Sequence, residues 1–252
     1  MVVSVQRLVA ARLSLLLACA TVACGGSGSE RPDPSGGEVE ARDACREASE
    51  LELRIIEDFE FRSAPDWWVS TDATPGAELE PPLRKSPTAT EVTGGRCGTS
   101  RYALRLQARG LEIYGGAFGV NFFRAAEDAS AWEGVAFWAR RGNDSGRSLF
   151  VAISDKYTDE SAGAALHPDG QPFCSDQTES LTEKCDRFGA GVGLGLEWRH
   201  YLLRFEDMSQ RGFGKVAPEL DVENLLGLSF GFEVGDWDVW VDDVAYFRRG
   251  TE

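Results

Sequence analysis

Two groups of acids stand where aliphatic strand residues would be expected. In Asp236–Phe247 the apolar positions Trp237, Val239 and Val241 alternate with Asp238 and Trp240 until Asp242-Asp243 interrupts the pattern. Near the other end of the globular part, Ile55-Ile56-Glu57-Asp58-Phe59-Glu60 repeats the theme of an aliphatic strand running into acids around an aromatic ring. Calcium takes hard oxygens of this kind, roughly six to eight of them at ~2.3–2.6 Å. If the first and last strands lie side by side, Asp58, Glu60, Asp242 and Asp243 form a candidate set for a structural calcium ion. Adjacent strand residues face opposite sides, so a bulge at Asp242-Asp243 is needed to turn both carboxylates to one ion. The competing reading leaves one Asp in water while the other caps a loop or pairs with Arg248.

A second constellation lies along the alternating runs. Taking Leu104, Phe122, Phe137 and Leu203 as core turns Arg105, Asn121, Phe123, Trp138, Arg140, His200, Leu202 and Arg204 the other way. Sugar recognition uses this mixture: an aromatic plane for the C–H face of a pyranose, and planar donors and acceptors for its hydroxyls. Asn121, Trp138, Arg140, His200 and Arg204 are the candidate ligand-binding residues, with Tyr157 rimming them from the next loop. The alternative is that the long Asp155–Val192 segment covers this face and buries Trp138. Both readings stay open at the level of sequence.

Catalytic patterns are poorly represented. Neither His167 nor His200 stands in a Ser or Cys nucleophile context. No two acids fall in a recognisable strand-end arrangement for glycoside hydrolysis. The run Gly189-Ala190-Gly191-Val192-Gly193-Leu194-Gly195 lacks the preceding strand, following helix and distant acid of a dinucleotide loop; it reads as a flexible segment before a strand. The expectation is a protein that binds without chemistry.

The positioning elements begin after an export signal. Met1–Ala23 holds Arg7 and Arg12, no acid, and the apolar run Leu13–Ala23, a basic start and short hydrophobic core typical of a signal peptide. The run is too short for a membrane span, which needs ~20 apolar residues. Its exit, Thr21-Val22-Ala23-Cys24-Gly25, resembles a bacterial lipoprotein signal. That resemblance implies cleavage before Cys24, lipidation of its thiol, and sorting to the outer membrane, because Gly25 rather than Asp follows. Cys19 is a rival that would shorten the apolar core. Several acyl chains suffice for firm anchoring. Residues 24–44, rich in Gly, Ser, Pro and Glu, form a flexible tether, and residues 45–250 form the folded domain.

The formal charge of −15 excludes nucleic acid, whose phosphates demand Lys and Arg, and argues against docking on anionic lipid other than through the N-terminal lipid. Acid surface keeps an exported domain soluble. Of the six cysteines, Cys45, Cys97, Cys174 and Cys185 remain after Cys19 and Cys24, and an even number in an exported chain favours disulfides. Three pairings are formally open. Cys174–Cys185 closes a short ring within one loop, worth roughly 2.5–3 kcal/mol in the chain-entropy account, and leaves Cys45 for Cys97 by elimination.

Alternation and turn residues then mark about eight strands with no convincing amphipathic helix, an all-β pattern that points to an antiparallel two-sheet β-sandwich of jelly-roll type. Five segments occur in a telling order: Ile56-Glu57-Asp58-Phe59-Glu60, Tyr102-Ala103-Leu104-Arg105, Asp128–Ala139, Trp198-Arg199-His200-Tyr201 and Trp240-Val241-Asp242-Asp243-Val244. Together they resemble galactose-binding-like sandwiches, most closely family-11 carbohydrate-binding modules and complex I intermediate-associated proteins. The resemblance spans about Leu51 to Arg248. It implies a jelly roll that binds a polysaccharide or glycan, or a protein-interaction and assembly module of the same fold. It names no sugar.

Overall fold

The computed structural model describes residues 44–61, 64, 66–72, 74–80, 89–92, 97, 100–122, 125–142, 146–162 and 166–250, all within one compact unit, Pro34–Glu252. The signal peptide, Cys24, Phe123 and nearly all of the tether lie outside the described residues. Thirteen strands appear among those described: β1 Leu51–Glu57, β2 Trp67–Thr71, β3 Glu78–Glu80, β4 Ala89–Glu91, β5 Tyr102–Leu111, β6 Gly116–Asn121, β7 Gly134–Arg141, β8 Ser148–Asp155, β9 Phe188–Gly193, β10 Arg199–Arg204, β11 Ser209–Gln210, β12 Leu225–Phe232 and β13 Gly235–Arg249. They form two antiparallel sheets, so the expected all-β sandwich is what the chain adopts.

The first sheet is built on β13. This strand of 15 residues pairs with β7 along one edge. Along the other edge it pairs first with β5 and then, past Asp242-Asp243, with β1. First and last strands therefore do meet. The expected bulge is there too: Asp242 faces Trp138 and Ala245 faces Ala136, which leaves one extra residue on β13. Asp243 carries it with φ 44°, the left-handed region that Asp tolerates better than most side chains. One inserted residue reverses the phase of alternation. Trp237, Val239 and Val241 point into the core before it, and Val244 and Tyr246 after it.

The second sheet runs β11-β9-β8-β12-β6-β2. Its inner face meets the first sheet through aromatic rings. Phe230 stacks on Phe118 at 5.1 Å and receives the edge of Phe137, from the opposite sheet, at 5.1 Å. Trp67 lies 6.1 Å from Phe230. Offset and edge contacts of this kind add to the burial of large apolar area.

Four short strands were not expected. The most informative is β9, which occupies the glycine run read above as flexible. Phe188, Ala190 and Val192 alternate with Gly189, Gly191 and Gly193, and the strand pairs with β8 throughout. Both disulfides form as expected, Cys45–Cys97 and Cys174–Cys185.

Single buried carboxylates organise the loops at the sheet ends. Asp155 accepts bonds from the Thr158 hydroxyl at 2.7 Å and the Asp221 amide at 2.7 Å, tying the end of β8 to the loop before β12. Asp72 follows β2 and accepts from the amides of Thr74, Ile113, Tyr114 and Gly115 and from the Thr74 hydroxyl. It thereby fastens β2 to the loop before β6. Burial acts to raise the Asp72 pKa, but the Thr74 hydroxyl and the amides of Gly115, Thr74 and Tyr114 outweigh it and hold the carboxyl well below the usual carboxylate range. A depressed folded-state pKa contributes stability that is present above the unfolded value of about 3.9 and is lost as pH falls toward the folded value. Urea titrations should therefore show Asp72→Asn less stable than wild type at pH 7, with the gap narrowing below about pH 4. A gap that is constant with pH would assign the clamp to something other than the ionised carboxylate.

Candidate functional site

Three of the residues expected to bind ligand share one surface, the outer face of the first sheet. Trp138 and Arg140 project there from β7 and His200 from β10, because their neighbours Phe137, Ala139 and Tyr201 take the core side. Cross-strand register places His200 beside Trp138, and their rings stack at 4.9 Å. In the next row Trp240 of β13 sits between Arg105 and Arg140, whose guanidinium carbons lie 4.7 and 4.6 Å from its ring. Arg140 also lies 5.3 Å from the Trp198 ring. Arg105 grips Asp238 with two bonds, 2.9 and 2.6 Å, and the Asp238 hydrogen bond raises the Arg105 pKa. Burial pushes the Arg140 pKa down, and the nearby Asp238 charge counters it.

This face is a second, cation-laced core. Trp138 is 3% exposed and Trp240 7%, so neither indole offers a plane to a sugar. The reading in which Trp138 is covered therefore describes the structure, with one change. The segment from Asp155 to Phe188 leaves and re-enters the second sheet at β8 and β9, and does not belong to the Trp138 face. Tyr157 goes with it: its ring packs edge-on against Phe173 at 5.5 Å and lies 6.1 Å from His167. Arg204 lies at the other end of β10 from His200, bonded to Glu206 at 2.7 Å with Glu133 at 3.9 Å. Asn121 belongs to β6 in the second sheet. Grouping it with Trp138 assumed that all alternating strands share one outer face; in a sandwich there are two. Trp240 and Asp238 were missed, although alternation from Val239 and Val241 already turns both outward.

The acidic junction is built differently from a ring of four carboxylates. Glu60 and the fully buried Asp242 converge on the Ser100 hydroxyl at 2.9 and 2.6 Å. Glu60 also accepts the amides of Arg101 at 2.8 Å and Tyr102 at 3.2 Å. Burial raises its pKa, but those amides and the serine more than offset this, and the net shift is downward. Asp58 accepts the Glu60 amide at 3.1 Å, and the Asp243 amide donates to Asp242 at 2.9 Å. Among the described residues no group of three or more His, Cys, Asp or Glu side chains is placed to hold a metal ion. The centre of the junction is a serine hydroxyl.

The outer face of the second sheet is paved with small residues, several of them, such as Ala152 and Ser154, buried. Register brings Ser70 and Trp68 of β2, Ala117, Gly119 and Asn121 of β6, Gly227, Ser229 and Gly231 of β12, Phe150, Ala152 and Ser154 of β8, and Gly189 and Gly191 of β9 onto it. Small side chains make a floor four to five strands wide, interrupted by two half-buried aromatic rings. The Trp68 indole donates to Asn121 Oδ1 at 3.0 Å. The Arg211 guanidinium lies 4.8 Å from the Phe150 ring, held there because Asp186 accepts the amides of Arg211, Gly212 and Phe213. Trp68 and Phe150 stand three strand spacings apart across the sheet, about 14 Å, and in rows two residues apart along it.

No protein-family model matches the chain and no curated protein is similar to it in sequence. Solved structures are similar in fold. The family 11 carbohydrate-binding module of the cellulase Lic26A-Cel5E of Clostridium thermocellum superposes with a TM-score of 0.51 at 12% identity, covering 80% of this chain and 97% of the module. A family 11 module from the same organism, in complex with a β-1,3-1,4-mixed-linked tetrasaccharide, gives 0.50 at 13% identity, covering 77% and 94%. A family 30 carbohydrate-binding module gives 0.51 at 14% identity, covering 78% and 90%. The fold of this chain is that of the carbohydrate-binding-module β-sandwiches.

Proposed function

We propose that this protein binds glycan without chemistry, on the outer face of its second sheet. The observation that carries the reading is Trp68: a half-buried indole whose orientation is fixed by Asn121, at the margin of a floor with no bulky side chain until Phe150. A pyranose needs a flat apolar plane and a few polar groups, and a fixed ring loses less freedom on binding than a mobile one. Two glycines of β9 support this. A Cβ on Gly191 or Gly193 would meet nothing within 4 Å, so packing within the chain does not require glycine there. Glycine weakens a strand interior, and a common reason for its presence is close approach of another body. The fold likeness to carbohydrate-binding modules supports the same class of ligand.

A glycan array of α- and β-linked glucans, galactans and xylans, followed by calorimetry on the best binder, tests the reading. Trp68→Ala should weaken binding about tenfold or more, as truncation of a central aromatic anchor does. Trp138→Ala should leave affinity unchanged while lowering stability by about 3–5 kcal/mol, the cost of emptying a large aromatic site. Absence of any bound glycan, or wild-type affinity in Trp68→Ala, would remove the proposal.

The N-terminal residues support a place for this binding. Lipidation at Cys24, with residues 24–44 as tether, would hold the domain off the outer membrane of the cell envelope. Globomycin, which blocks lipoprotein signal cleavage, should leave a longer precursor; normal processing under the drug would exclude the lipid anchor.

A further inference from the structure

A second recess lies apart from the sheet face, between the free edge of β1 and the end of β6. It has a volume of about 370 Å³ and is lined by Arg54, Ile56, Asn121, Phe122, Glu127 and Tyr246, among others. Ligand pockets run from ~300 to ~1,000 Å³, so this one has room for one or two sugar rings and no more. At its base is Tyr246, 3% exposed, whose hydroxyl is buried without a hydrogen-bond partner. Buried phenols nearly always have one. Arg54 meets it only weakly: burial raises the Tyr246 pKa and the nearby Arg54 donor acts to lower it, but the guanidinium carbon lies 4.6 Å from the ring centroid, over the face, while Nη2 reaches Glu127 at 2.9 Å. The Arg54 side chain is 40% exposed and lines the recess, held by Glu127 and the Asp128 carbonyl.

We infer that this cleft is a binding site for a single neutral pyranose, separate from the sheet face. Ile56, Val120 and Phe122 give one wall an apolar strip suited to a C–H face. Arg54 and the Asn121 amide donate, Glu127 and Asp66 accept, and the tyrosine hydroxyl does both. Sugar hydroxyls donate and accept at once and fit such an alternating rim. Two carboxylates disfavour an anion, and Arg54 disfavours a compact cation. Asn121 borders the cleft and also holds Trp68, so the two sites adjoin without sharing an aromatic platform.

The test is saturation-transfer NMR on the full chain with methyl glycosides of glucose, galactose, mannose and xylose. At least one should receive saturation and show a saturable Kd. Ala125→Trp, a substitution of an exposed residue at the rim, should fill the cleft and abolish the transfer, whereas Trp68→Ala should leave it. Tyr246→Phe should weaken the same glycoside about threefold or more, as loss of one hydrogen bond does, with a Tm equal to or above wild type because the hydroxyl has no partner to lose. No transfer to any of the four, persistence in Ala125→Trp, or a lower Tm in Tyr246→Phe overturns the inference. Transfer lost in Trp68→Ala alone would assign the signal to the sheet face, overturning this site while leaving the proposed function intact.

Discussion

The inserted residue in β13 is the constraint on which the first sheet depends. A strand with unbroken alternation would carry one set of side chains inward along its whole length. With the bulge at Asp242-Asp243, inward positions shift by one. One strand can then serve two different neighbours, β5 ahead of the insertion and β1 beyond it. The gap between β5 and β1 has to be sealed, and the polar groups that seal it are those freed by the broken ladder. Glu60, Ser100 and Asp242 meet there, and Glu60 collects two amides that the sheet leaves over. The acids that look like chemistry in the sequence are thus the price of joining the two ends of the chain on one strand.

That division of labour extends to the two outer faces. The face of the first sheet is filled with its own Trp, Arg and His side chains. Trp240 between two guanidiniums and Trp138 on His200 give a layer in which cations neutralise buried acid and cover aromatic surface at once. Arg54 and Arg248 likewise cover Trp132, at 5.6 and 5.2 Å, where β1 meets β13, while pairing with the more exposed Glu127 and Glu52. A chain with a formal charge of −15 has few cations to spare, and many of them are spent as packing. The second face, built largely of glycine, alanine and serine, carries Trp68, Asn121, Phe150 and the overhanging Arg211 among its described residues.

How much of this was legible follows from periodicity. Alternation locates β1, β5 to β8, β10, β12 and β13 closely, because each buries one face and shows the other, and it foretells the bulge, because two adjacent acids cannot both obey it. It cannot say which sheet a strand joins. Phe122, Phe137 and Leu203 read as equivalent core residues although Phe122 directly follows a strand of the opposite sheet, and Asn121 was assigned to the wrong face for that reason alone. Composition also misleads about exposure. Trp138, Arg140 and His200 look like a ligand set because they are rich in recognition chemistry, yet Trp138 stacks on His200 and Arg140 on Trp240, which takes their faces away from solvent.

The glycine run shows the same limit from the other side. Phe188, Ala190 and Val192 alternate as strictly as any strand here, but glycine's low strand propensity suggests flexibility when it fills every second position. In the sheet the objection vanishes, since β8 fixes the backbone along its whole length and β11 fixes its first two residues from the other side, and the absent side chains are all on the outside. At Gly119, Gly189 and Gly227 neighbouring backbone leaves no room for a Cβ, but the entropic cost accepted at Gly191 and Gly193 is not explained by the fold's own packing. It is explained if the smoothness of that surface is itself what the sequence maintains. The informative signal for function in this chain is therefore the place where chemistry has been removed from a face, with one tryptophan held at its edge.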